Sequence, residues 1–182
     1  MTHSLNNEHH LDKLMDLFQA QKITVILDQQ SLKSDCYFLL DQSFHFKHSL
    51  SIGFVLAENP FLPYLSLKQN LFVGSSIKNK EQKKKANQFF TYLGIDSSIL
   101  IKPLEALNFY EQIKLQLCRM LLLDKDIIII DDIFKELSIF QRQELLPLLQ
   151  KIAKADKKAI LILTEDSKIA ESPYMDEVIK IA

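Results

Sequence analysis

Short apolar runs punctuate the chain, and stretches with helical spacing lie between them. Residues Ile23–Leu27, 51–56, 127–130 and 159–163 are compact and apolar, each followed by polar residues. Unbroken runs of this kind suit strands covered on both faces, as in a parallel sheet. Residues 177–181 form a candidate closing strand. Leu11, Leu14, Met15 and Phe18 recur every three or four positions, which predicts an amphipathic helix over 9–19. Asn79–Leu93 is charged at its start and apolar at Phe89, Phe90 and Leu93, and further helices are predicted over 108–123 and 141–155. Strands alternating with helices predict an α/β domain with crossover connections. Pro60 and Pro63 bracket a turn and Pro103 ends a segment, so 58–106 reads as a helical subdomain inserted in a single domain over 1–182.

Composition sharpens this picture at one point. Only 3 of 182 residues are glycine, namely Gly53, Gly74 and Gly94, where an average chain would hold about 13. Closely spaced glycines let backbone amides approach a pyrophosphate, so an intact dinucleotide fingerprint or glycine-rich phosphate loop is excluded. The 22 basic and 23 acidic side chains leave a net charge of −1, which gives no bulk attraction to nucleic acid or to an anionic membrane. Lys78, Lys80, Lys83, Lys84 and Lys85 make the one local charge run. Without interleaved aromatics it reads as a solvated helix face. Cys36 and Cys118 are too few for a disulfide framework, as expected of a reducing compartment. No apolar run approaches the roughly 20 residues that span a bilayer, and residues 1–10 are polar. The expectation is a soluble, cytoplasmic chain with no direct membrane insertion and no nucleic-acid partner.

The segment 107–134 carries the most chemical information. A helix ends near Leu123, Asp124-Lys125-Asp126 turns the chain, and four isoleucines lead into Asp131-Asp132. Carboxylates just beyond a buried parallel strand stand where ligands bind in open α/β sheets. Such a pair either holds Mg²⁺ and orients a water or merely solvates a strand end and caps the next element.

In its order and spacing this block resembles the signature, helix and Walker B elements of ABC-transporter ATPases. Leu107-Asn108-Phe109-Tyr110-Glu111 falls on the signature, Arg119-Met120-Leu121 on the end of its helix, and Asp131-Asp132 on the Asp-Glu pair. Residues 52–57 resemble the strand leading to the Q-loop, with Ala57 at the glutamine position. Residues 59–71 are similar to the opening of the helical subdomain, and 161–166 to the switch strand, with Glu165 in place of histidine. Residues 27–35 resemble an eroded Walker A in which Ser31, Lys33 and Ser34 survive. The resemblance covers about 23–182. It implies a P-loop NTPase-like fold: a mostly parallel sheet flanked by helices, with a helical subdomain. Only 24 positions separate Lys33 from Ala57, which implies a reduced or missing antiparallel β-subdomain.

The departures set the functional expectation. Leu27, Gln30 and Leu32 occupy the Walker A glycine positions, and a Cβ disfavours the positive φ and close approach that glycine permits. Lys33 and Ser34 remain as candidate phosphate ligands, and Asp131 as the candidate Mg²⁺ ligand. Asp132 and Glu165 are the catalytic candidates if the chain is active. Asp132 is one methylene shorter than glutamate, and a misplacement of about 1 Å can cost around 10²-fold in rate. Asp131, Asp132, Glu165 and Asp166 would face phosphates with little compensating positive charge, the reverse of what phosphoryl transfer requires. The resulting expectation is a degenerate ABC ATP-binding subunit, a pseudo-ATPase with a structural or regulatory role and no cofactor. The alternatives are an atypical ATPase that uses ATP and Mg²⁺, and an acidic metal-binding module around Asp131, Asp132 and Glu165. In the family the helical subdomain grips a membrane permease, so Pro60, Phe61, Leu62, Pro63, Tyr64 and Leu65 are the candidate docking residues. They serve equally as a stable turn and core. The partners implied are a permease, a second ABC ATPase subunit, or a second copy of the chain.

Overall fold

The computed structural model describes residues 19–27 and 51–180. Among these residues five strands form one sheet in the order β2-β3-β4-β1-β5: β1 Ile23–Leu27, β2 Ile52–Leu56, β3 Ile127–Asp131, β4 Ala159–Thr164 and β5 Glu177–Lys180. Every pairing is parallel, and the register sets Leu56 opposite Asp131, Asp131 opposite Leu163, and Leu27 opposite Thr164. The C-terminal ends of the three central strands therefore share one edge of the sheet. The expected helix over 9–19 lies outside the described residues except for Gln19, which is not helical.

The pleat explains why unbroken apolar strands fit. Ile128 and Ile130 of β3 join one apolar cluster, and Ile127 and Ile129 join another on the opposite face. All four are at most 2% exposed. On the first face lie the helices α1 Leu67–Phe72, α2 Asn79–Leu93, α3 Phe109–Leu122 and α4 Ile139–Ala155, with the short α5 Ser167–Ala170 after β4. Short 3₁₀ turns occupy Ser97–Ile101, Leu104–Ala106 and Ile133–Glu136.

Helix ends follow local side-chain chemistry. Ser66 with Gln69, Asn108 with Glu111, and Ser138 with Gln141 form reciprocal capping boxes, which satisfy amides otherwise lacking an intrahelical partner. The last of these moves the start of α4 to Ile139, two residues earlier than periodicity alone predicts. Gly94 closes α2 in the left-handed region at φ 62°. Leu67, Leu71, Ala86, Phe90 and Leu93 share one core with Ile113 and Leu117 of α3 and with the sheet. Cys118 is buried in that core, and burial pushes its thiol up to about 12, so it stays protonated.

Two carboxylates tie strand starts to the rest of the domain. Asp126 accepts from the Ser51 amide at 2.8 Å and hydroxyl at 2.9 Å. Asp176 accepts from the Ile23 amide at 2.8 Å and Lys154 at 2.6 Å. Burial alone would raise both pKa values. For Asp126, the Ser51 donors with Lys158 and Lys125 outweigh burial; for Asp176, Lys154 and the Ile23 amide do. Both carboxyls end below their ordinary value. Depressed carboxylates stabilise the fold above their unfolded pKa and lose that contribution as pH falls through the folded one. The drop in unfolding free energy between about pH 6 and about pH 3 is therefore expected to be smaller in Asp126→Asn/Asp176→Asn than in the natural chain. Urea titrations at each pH measure it, and equal drops would refute the assignment.

Candidate functional site

The site builds up from the end of β3. Four buried isoleucines fix the strand, and Asp131, its last residue, lies at the sheet edge between Leu56 and Leu163. Asp132 then adopts φ 51°, a left-handed conformation that aspartate tolerates better than most residues. Its amide donates to the Leu163 carbonyl at 3.0 Å, which pins the turn to β4. Thr164 ends β4, and its hydroxyl accepts from the Asp166 amide at 3.1 Å. Asp131, Asp132 and Glu165 are thus brought to one edge, as the sequence predicts.

The charge balance differs from the sequence expectation. Lys135, three residues beyond Asp132, lies in the 3₁₀ turn and reaches back over the edge. Its ammonium stands 2.9 Å from Asp132 Oδ2 and 3.0 Å from Glu165 Oε2, bridging the ends of the two strands. Arg142 pairs with Asp166 at 2.7 Å and donates to the Leu137 carbonyl at 3.0 Å. Hydrogen bonds first to Asp132 and then to Glu165 raise the Lys135 pKa, so it remains an ammonium across the ordinary pH range. The expectation of little compensating positive charge is therefore corrected. The cations sit on neighbouring elements, and the spacing Asp132/Lys135 was the signal that could have disclosed one of them. Among the described residues no group of three His, Cys, Asp or Glu side chains is arranged to hold a metal ion. An ammonium between Asp132 and Glu165 opposes a divalent cation at that point by like-charge repulsion.

The remaining candidates fall in three places. Lys33 and Ser34 lie outside the described residues. At the signature position Asn108 and Glu111 cap α3, with Glu111 also held by Lys102 at 2.7 Å, while Phe109 and Tyr110 pack into the core. The Lys102 contact leads in lowering the Glu111 pKa. Beside the Q-loop position, the fully buried Gln116 of α3 accepts from the Leu56 amide at 2.8 Å and donates to the Leu56 carbonyl at 2.9 Å. It completes the hydrogen bonding of an edge-strand end. A buried glutamine among apolar helix positions was the sequence signal for it.

In the candidate docking segment, Phe61 is in the core, Pro60, Leu62 and Leu65 are half-buried, and Pro63 and Tyr64 face solvent, Tyr64 at 78% exposure. Asn70 holds this turn. Its amide donates to the carbonyls of Leu62 and Leu65, each at 3.1 Å, and accepts from the Leu62 amide at 2.7 Å.

Comparison with known proteins bears on the fold and on the sequence likeness. No protein-family model matches the chain. It is 26% identical over 133 residues to the thiamine import ATP-binding protein ThiQ of Aliivibrio fischeri, covering 70% of this chain and 56% of that protein. The aliphatic sulfonates import ATP-binding protein SsuB of Bacillus subtilis is 26% identical over 129 residues, covering 71% and 49%. The chain spans about half the length of these curated relatives. A dimeric bacterial ABC transporter cassette superimposes with a TM-score of 0.72 at 16% identity, over 90% of this chain and 82% of that one. The cbiO1 protein of Clostridium perfringens, part of the ABC transporter complex cbiONQ, also gives 0.72, at 21% identity over 90% and 74%. The chain is thus similar in sequence to ABC-transporter ATP-binding subunits, and its fold is that of their cassettes.

Proposed function

We propose that the chain is an ATP-binding-type subunit of an ABC import system that acts as a structural or regulatory pseudo-ATPase. The carrying observation is the Lys135 bridge, which commits the Asp132 and Glu165 carboxylates to an internal ammonium at 2.9 and 3.0 Å. A carboxylate already bonded to an ammonium is less available to orient a water or to face a metal ion. The side chains at the phosphate-loop glycine positions support the same reading. Import rests on the similarity to ThiQ and SsuB, which are import ATP-binding proteins.

On this reading the helical subdomain over 58–106 docks a membrane permease through the turn 60–65, with Tyr64 and Pro63 presented outward. A second ABC subunit or a second copy completes the assembly. The chain then works at the cytoplasmic side of the membrane, held there by its partner. Among the described residues no helix is long and apolar enough to cross a membrane.

Equilibrium binding of a fluorescent ATP analogue with Mg²⁺, together with phosphate release, tests the proposal. The natural chain is expected to release phosphate no faster than Lys33→Ala and to show no micromolar binding. Micromolar binding abolished by Lys33→Ala, with turnover above that control, would establish the atypical ATPase instead.

A further inference from the structure

The basic run acquires a definite geometry once α2 forms. Lys80, Lys83, Lys84, Asn87, Gln88 and Thr91 line one shallow strip, at the three- and four-residue spacings that share a helix face. All six are exposed, while Ala86, Phe90 and Leu93 hold the other side of the helix to the core. Lys78 at the N-cap and Lys85 are exposed as well. Residues 78–93 carry five lysines and one acid, Glu81, in a chain whose total charge is −1. The whole-chain balance conceals a segregated positive face.

Among the described residues no salt bridge offsets this charge. Several basic side chains elsewhere are paired: Lys102 with Glu111, Lys114 with Glu144, Lys135 with Asp132 and Glu165, and Arg142 with Asp166. Lys154 and Lys158 likewise pair with Asp176 and Asp124. Among the described residues Lys80, Lys83, Lys84 and Lys85 have no such partner. Lysines at i,i+3 and i,i+4 repel one another. Lys78 and Lys80 also stand at the positive end of the helix dipole, where cations are unfavourable. Both effects oppose the isolated helix, and an external anionic surface would reverse both.

We infer that this face of α2 is a docking surface for the anionic headgroups of a phospholipid bilayer. Flexible lysine ammoniums suit a diffuse negative leaflet, and arginine forks, which recognise single phosphates bidentately, are missing from the strip. Asn87 and Gln88 add amide donors beside the lysines. Nucleic acid is disfavoured because no aromatic ring lines the strip for base stacking, Phe90 being buried and Phe89 and Tyr92 packing half-buried against the core. An acidic protein partner is disfavoured because the strip has no apolar or aromatic anchor at its centre. None of these residues belongs to the carboxylate network or to the turn 60–65, so the inference stands apart from the pseudo-ATPase and permease readings.

Sedimentation of the full chain, without any partner protein, with two kinds of vesicle tests it. One kind is phosphatidylcholine alone, and the other contains roughly one-third phosphatidylglycerol. Binding is expected only to the anionic vesicles and is expected to vanish at about 0.5 M salt, where surface charges are screened. Each lysine near an anionic leaflet contributes about fivefold in affinity. Lys80→Gln/Lys83→Gln/Lys84→Gln is therefore expected to bind about a hundredfold more weakly and to unfold at a temperature no lower than the natural chain, since glutamine matches lysine in helix propensity and the lysine repulsion is removed. If that variant does not fold, the single change Lys83→Gln and the lipid and salt series on the natural chain decide the matter. Absence of binding, equal binding to both vesicles, or undiminished binding by the folded variant would overturn the inference. So would tighter binding of a short RNA or of polyglutamate than of the anionic vesicles in the same buffer.

Discussion

Gly53→Val is expected to lower the unfolding free energy by about 3 kcal/mol, roughly a hundredfold in the ratio of folded to unfolded chain. Gly53 lies in β2, opposite Ile128 of β3, and α3 passes directly over it. A Cβ built at this position collides with the sulfur of Met120 and meets Lys125 Cγ at 2.9 Å. Strand propensity alone favours valine over glycine by about 1 kcal/mol. The steric conflict runs the other way and is larger, because α3 is fixed by Ile113, Leu117 and Leu121 in the core and has no room to lift. Gly53→Ala is expected to be milder, since the thioether of Met120 can rotate aside. Urea unfolding of the two variants, with Met120→Ala added to the valine variant, gives the magnitude and shows whether Met120 is the opposing group. A valine variant as stable as the natural chain would sink this account.

Asn70→Ala is expected to lower stability by about 2 kcal/mol and to open the turn 60–65 to protease, while the sheet stays intact. Asn70 is 1% exposed, and one side-chain amide serves backbone groups of both Leu62 and Leu65. Alanine leaves these without their partner, and an unsatisfied buried group costs about 1–3 kcal/mol. Asn70→Asp is expected to be more damaging than alanine although it is nearly isosteric. The carbonyl oxygens of Leu62, Leu65 and Ser66, now bonded to Nδ2, would then face a carboxylate oxygen. Limited proteolysis followed by mass spectrometry locates the cut. An uncut turn in a folded Asn70→Ala chain would show that something else holds the segment. Because Tyr64 and Pro63 ride on this turn, the same variant also weakens the docking proposed for them.

Much of the fold was legible in the residues. Apolar runs placed the described strands to within about one residue, and periodicity placed α2 at Asn79–Leu93 without error. Period and length carry this information because a strand buried on both faces and an amphipathic helix leave different signatures. The start of α4 was missed by two residues because a capping box, Ser138 with Gln141, sets it, and capping is independent of hydrophobic period. At the site, Asp131, Asp132 and Glu165 were recognisable from their places after β3 and β4. The contribution of Lys135 and Arg142 was not. They act across gaps of 30 and 24 residues, from Lys135 to Glu165 and from Arg142 to Asp166.

By itself the sequence determined the class of architecture, the order of its elements and the shortage of glycine, because these depend on each residue's own size, polarity and conformational range. Tertiary structure decided which charges meet. It laid Lys135 between two carboxylates that the chain keeps far apart, committed Gln116 to a strand end, and placed Met120 over Gly53. It also gathered the α2 lysines onto one face while pairing other cations elsewhere. Charge and contact depend on distance in space, and a parallel sheet joins strands that are remote along the chain, so these features exist only once the sheet has formed.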